Sequence, residues 1–135
     1  MKEPQLVDLP KFADKRGSLS IIQECVQIPF TIERVYWIYD VPGGEVRGGH
    51  AFKEQEEVIV ALSGSFDIVL HDGKKEIVYS LNRSNKGVLV PKMYWRTLKN
   101  FSSNALAFVL ADTAYNENDY IRDFDEFLKL ESQYE

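Results

Sequence analysis

The chain has 135 residues, 44% of them hydrophobic and 13% aromatic, with 16 Lys and Arg against 21 Asp and Glu for a formal net charge of −5. That length suits one domain with a buried core and excludes a disordered chain, and the acidic balance argues against broad, non-specific binding to nucleic acid. The lone Cys25 excludes an internal disulfide framework and suits a reducing cytoplasm, and no apolar run approaches the length of a membrane span.

Residues 1–18 read as an irregular arm that turns at Arg16-Gly17-Ser18 into a first strand, Leu19 to Ile22. Ile28-Pro29-Phe30 reads as a connector, because proline cannot sit in a central strand. Glu33 to Tyr39 is dense in aromatic and β-branched residues and is predicted as a strand, with Arg34, Tyr36 and Ile38 on one face. The arginine on this strand, read as a central one, needs an anionic partner.

Gly43 to Gly73 then runs from a glycine-rich loop bearing Arg47 and His50 into the apolar strand Val58 to Leu62. The alternating run Phe66, Ile68, Leu70 follows, ending at the turn dipeptide Asp72-Gly73. Lys53 to Glu57 reads as a solvated strand edge. Further strands are predicted at 76–81, 87–90, 93–98 and 105–110; the last is apolar on both faces and therefore central. Turn signals every eight to twelve residues, with no helix between strands, predict an antiparallel sandwich or barrel. A short amphipathic helix is expected over 117–130, capped by Asn118 or Asp119.

The spacing Gly44, five residues, His50-Ala51-Phe52, four residues, Glu57, six residues, Gly64 resembles the first cupin motif, except that Phe52 stands where a second histidine is expected. Gly87, Pro91 and Asn100 resemble the second motif, with Arg96 in a position that usually carries a metal-binding histidine. The resemblance implies a cupin-type double-stranded β-helix, or jelly roll, with a short C-terminal helix. With two histidines missing and a guanidinium in one of their places, the donor set suits no metal.

Four blocks, RVYWIYDVPGGEVRGGHAFK, ALSGSFDIVLHDG, VPKMYWRTLKNFSS and DYIRDFDEF, resemble more narrowly the WxcM-like (FdtA/QdtA-type) sugar-nucleotide 3,4-ketoisomerases. The likeness runs from about Asp14 to Leu128. It implies a single domain, no metal or organic cofactor, and a homodimer that exchanges N-terminal strands. The implied substrate is a TDP-linked 4-keto-6-deoxy sugar, on a route to 3-amino-3,6-dideoxy sugars for surface polysaccharide. It also implies that His50 is the base and that Arg34 and Arg47 hold the diphosphate. Arg16 and Arg96 would line the sugar pocket, and Tyr36 lies beside Arg34 on the same face. Lys53 and Tyr94 complete the expected substrate-binding set.

Moving a ketone from C4 to C3 requires a base of near-neutral pKa for the C3 proton, donors near the enediolate oxygens, and a proton for C4. His50 has the right unperturbed pKa, and flanking arginines would keep it neutral. Phe52 leaves the second proton to Tyr36, Tyr94 or a water. The same substitution motivates an alternative, a cupin that binds the sugar nucleotide without turning it over. A related epimerase is a further alternative.

Overall fold

The computed structural model describes residues 2–133. Two five-stranded antiparallel sheets face each other. The first has the order β1 (Gln5–Asp8), β9 (Lys86–Val90), β6 (Glu57–Ser63), β11 (Leu106–Ala111) and β4 (Arg34–Tyr39). The second has the order β12 (Tyr120–Ile121), β5 (Arg47–Phe52), β10 (Trp95–Lys99), β7 (Phe66–His71) and β8 (Glu76–Leu81). This is the jelly roll that the cupin resemblance implied, and β11 is central as its two apolar faces require.

Alternation along each strand builds the core. Ile59 and Ala61 from β6, Ala107 and Val109 from β11, and Ile38 from β4 meet Phe66, Ile68, Leu70 and Leu98 of the opposite sheet. The outer face of the first sheet is apolar as well. Val58, Val60, Leu89 and Leu110 are covered by Leu9, Ile28 and Phe30, so the connector containing Pro29 works as a second layer of core.

Three expectations change. The N-terminal arm is regular: β1 pairs with β9, and β2 (Lys11–Asp14) pairs with β3 (Gly17–Ser20) in a hairpin whose residues are all exposed. The β1–β9 pairing joins segments far apart in the chain, which no local pattern records. The strand β4 is an edge strand rather than a central one, which leaves Arg34 at the open end of the sandwich. The helix α1 starts later, at Phe124–Ser132, capped by Asp123, whose side chain accepts from the Glu126 N–H. Tyr120 and Ile121 are drawn instead into pairing with Phe52 and Ala51, and Asp119 turns inward to accept from the Glu54 and Gln55 N–H groups at 2.7 and 3.1 Å.

Among the described residues no helix is long and apolar enough to cross a membrane.

Candidate active site

Strand register decides which side chains meet. In the first sheet Glu57, Ala111 and Arg34 lie abreast across β6, β11 and β4, one row nearer the open end than Ile59, Val109 and Tyr36. In the second sheet Arg96 of β10 is the direct cross-strand partner of His50, yet two residues along, Leu98 pairs with Arg47. One residue of β10, Thr97, is therefore opposed by two of β5, a bulge at Gly48-Gly49. In a regular strand Arg47 and His50, three apart, would point to opposite faces. The extra residue sets both on the side of the cavity, His50 partly buried and Arg47 exposed.

Gly48 carries φ +76°. A Cβ there would come within 2.5 Å of the Arg96 Nη1. Glycine at this position therefore serves both the bulge and the guanidinium lying on it.

These residues line one cavity of about 440 Å³ between the sheets, with Arg34, Tyr36, Arg47, Gly48, His50 and Arg96 in its walls and Tyr115, Tyr120 and Arg122 at its rim. A larger cleft of about 590 Å³ near Pro29 and Pro91 holds Glu54, Glu56 and Asp112 against Lys2 and Lys92, so its electrostatics do not favour an anion.

At the floor of the cavity Arg96 and Glu57 form an ion pair, 1% and 0% exposed. Arg96 Nη2 donates to the Tyr36 hydroxyl at 2.7 Å, and that hydroxyl donates to Glu57 Oε1 at 3.0 Å. Gln55 Nε2 donates to the same carboxylate oxygen at 3.0 Å, and Gln55 Oε1 accepts from Arg34 Nη2 at 2.8 Å. Burial opposes the charge of Arg96, but Glu57 and then Tyr36 outweigh it and hold the guanidinium above its ordinary pKa. Burial, reinforced by Glu57, pushes the Tyr36 phenol well above its ordinary value. Tyr36 is thus a neutral donor at physiological pH.

His50 is pushed down to about 3, first by burial and then by the Arg96, Arg122 and Arg34 cations. Its imidazole is neutral and able to accept a proton. The ring packs edge-on to Phe52 at 4.9 Å and against Tyr120 at 5.0 Å. Phe52 is 3% exposed, and the Arg96 guanidinium lies 5.8 Å from its ring centre. The residue in the second histidine position packs on both the imidazole and the guanidinium without titrating.

Three buried nitrogens of this cavity, Arg34 Nε, His50 Nε2 and Arg96 Nη1, have no hydrogen-bond partner among the described residues. Buried polar groups are rarely left so, and each unmade bond costs about 1–3 kcal/mol. Three of them on residues that line one cavity make that cavity the candidate ligand site.

Not every expected residue joins them. Tyr94 is 4% exposed and packed in the core between the sheets, where burial first and Glu3 next push its phenol up to about 12. It lies just ahead of β10 and is not among the residues that line this cavity. Lys53 is exposed and lines a neighbouring cleft with Thr113, Tyr115 and Asp119. Arg16 sits on the β2–β3 hairpin, away from the cavity, paired with Asp14 at 2.7 Å.

Conversely, the run from Lys53 to Glu57 is not a solvated edge, because Gln55 and Glu57 are 2% and 0% exposed. Period-two alternation with Ile59 and Ala61 could have put Glu57 indoors; Gln55, in a loop, carries no such signal. Among the described residues no group of three or more His, Cys, Asp or Glu side chains is arranged to hold a metal. In the cupin motif Glu57 and Arg96 occupy ligand positions, and here they neutralise each other.

Residues 2–132 match the family FdtA, described as WxcM-like, C-terminal. The chain is 42% identical over 127 residues to the TDP-4-oxo-6-deoxy-alpha-D-glucose-3,4-oxoisomerase of Aneurinibacillus thermoaerophilus, covering 94% of this chain and 91% of that one. Its fold matches a 3,4-ketoisomerase from Helicobacter canadensis with a TM-score of 0.94 at 42% identity, over 98% of this chain and 99% of the other. It also matches the sugar 3,4-ketoisomerase QdtA from Thermoanaerobacterium thermosaccharolyticum, solved in complex with TDP, with a TM-score of 0.95 at 33% identity over 97% and 96% of the two chains.

Proposed function

The chain belongs to the FdtA, WxcM-like family, and from that premise we propose that it is a sugar-nucleotide 3,4-ketoisomerase acting on a TDP-4-keto-6-deoxyhexose, as its relatives' names describe for them. The observation that carries the reading is the set of three unpartnered buried nitrogens, from one imidazole and two guanidiniums, around a single cavity. The product would be the 3-keto isomer, a precursor suited to amination at C3 on the way to dideoxy sugars of surface polysaccharide.

In this reading Arg34 and Arg47 take the diphosphate. His50 removes the C3 proton, and the C4 carbonyl oxygen, becoming an enediolate, faces Arg96 Nη1. The enolate oxygen O4 takes up a proton as the O3 hydroxyl gives one up, and a proton is then returned at C4 while O3 becomes the carbonyl. Phe52 cannot carry it, so either His50 itself returns it on the same face of the sugar or a donor such as Tyr36 or a water does. Proton NMR in heavy water with TDP-4-keto-6-deoxyglucose tests the proposal. Deuterium should enter the sugar ring as the 3-keto isomer forms, whereas tight TDP binding with no exchange would leave a binding protein instead.

The pH dependence carries the signature of the crowded cations. The acid limb of kcat/KM reports His50 in the free enzyme, where its pKa lies near 3. A bound diphosphate supplies negative charge that offsets the arginines and raises the imidazole pKa. The acid limb of kcat is therefore expected at higher pH than that of kcat/KM, and coincident limbs would mean that burial alone, without the arginines, sets the imidazole. Stability has the same sign. The unfolded chain binds the histidine proton below about 6.5 and the folded one only near 3, so stability is full above 6.5 and falls as the pH drops through that window.

The working unit is proposed as a homodimer with exchanged N-terminal strands. The β2–β3 hairpin leaves Phe12 and Leu19 60% and 57% exposed, and the outward face of β4 shows Val35, Trp37 and Tyr39. Apolar surface of this kind suits a second copy. Exchange would carry Arg16 toward the partner's sugar pocket, the role in which it was expected. Light scattering should give twice the chain mass, and deleting residues 2–18 should yield monomers. A wild-type protein monomeric at micromolar concentration would exclude the arrangement. The exposed free Cys25 suits a cytosolic setting, which cell fractionation would check.

A further inference from the structure

We propose that Gln55 is a positioning residue that couples the diphosphate clamp to the sugar-facing cation. The inference rests on the ketoisomerase reading for what those two cations hold.

Gln55 is 2% exposed, in the loop just ahead of β6. Its backbone is anchored from the rim, its N–H donating to Asp119 Oδ2 at 3.1 Å. Its Oε1 accepts from Arg34 Nη2 and from Thr113 Oγ1, both at 2.8 Å, and its Nε2 donates to Glu57 Oε1 at 3.0 Å. Chemistry fixes that orientation. A flipped amide would set its NH₂ against the guanidinium and its oxygen against the carboxylate.

The amide therefore bridges a cation and an anion without adding charge. A carboxylate in its place would satisfy Arg34 but abut Glu57, and an apolar side chain would satisfy neither. The connection continues from Glu57 to Arg96, which holds the carboxylate through Nε, and to the Tyr36 hydroxyl. Each arginine is thus gripped from behind, Arg34 by Nη2, Arg96 by Nε and Nη2, and each keeps one buried nitrogen without a protein partner. Such preorganisation is worth most in a site closed to water. No contact of Gln55 with the substrate is required.

The test is a double-mutant cycle read by TDP affinity and turnover separately. Gln55→Leu should weaken TDP about tenfold and lower kcat about tenfold, the scale of one hydrogen bond to a charged group. In an Arg34→Leu background the same change should move TDP affinity by less than about twofold, because the group it positions is gone. Gln55→Glu keeps the acceptor for Arg34 and removes the donor to Glu57. It should keep TDP affinity within about threefold and still lose about tenfold in kcat, a split that general loosening of the fold does not produce. Additive losses in the double variant, or equal loss of TDP affinity in the Glu and Leu variants, would overturn the proposal. If Gln55→Leu does not fold, the split in Gln55→Glu decides alone. A wild type that binds TDP without isomerising would sink the ketoisomerase reading while the affinity cycle still judges Gln55.

Discussion

Replacing His50 with asparagine is expected to lower turnover by roughly 10²–10⁴-fold, the usual share of a positioned general base, and to leave TDP affinity nearly unchanged. No other group in the cavity can take over. A guanidinium does not serve as a base in a protein, and Tyr36 is held neutral by burial and by Glu57. Asparagine is small, uncharged and polar, so the packing on Phe52 and Tyr120 is disturbed little. The measurement is ring deuterium incorporation in heavy water alongside calorimetric titration with TDP. Exchange at the wild-type rate would remove His50 from the proton transfer. Loss of TDP binding would recast it as a binding group.

The second large effect concerns the ion pair beneath the cavity. Arg96→Met leaves the Glu57 carboxylate buried and without its counter-charge, and breaking such a pair from one side costs about 3–5 kcal/mol. The same variant removes the Nη1 donor, and losing one donor to a developing oxyanion costs about 10²–10³-fold in kcat. The two consequences separate in Arg96→Met/Glu57→Gln. With no charge left to strand, the double variant should recover most of the stability in denaturant melts and none of the turnover. A double variant as unstable as the single one would mean that packing around Arg96, not the orphaned carboxylate, sets the cost. Recovered turnover would mean that Arg96 does not face the reacting oxygens.

Much of this was legible in the chain because β structure writes itself with a period of two. The run from Arg34 to Tyr39 declares its faces, and the structure keeps Ile38 buried while Trp37 and Tyr39 are exposed. His50 and Arg96 stood out for another reason: they occupy motif positions whose usual residues would bind metal, and the register makes them cross-strand partners. The misreadings have a shared cause. Tyr94 looked like a pocket residue and Glu57 like a surface one because aromatic and charged side chains carry ordinary expectations, whereas their burial depends on which row of which sheet they occupy.

The arm at residues 5–8 shows the same limit from the side of the backbone. Its strand exists only because β9, some eighty residues away, offers an open edge. Gln55 shows it from the side of the loops, where no periodicity assigns a face and only the packed neighbours do.

The chain by itself determined the jelly roll, the family and the pairing of one imidazole with several guanidiniums, since apolar alternation and motif spacing are properties of consecutive residues. The packed sheets alone decided that Arg47 and His50 share a face, that Glu57 and Gln55 hold the cations from behind, and that three nitrogens are left without partners. A bulge changes a strand's facing by a single inserted residue, and ion pairs form between groups far apart in the chain. Both are settled by register and layer contact, which exist only once the sheets have closed on each other.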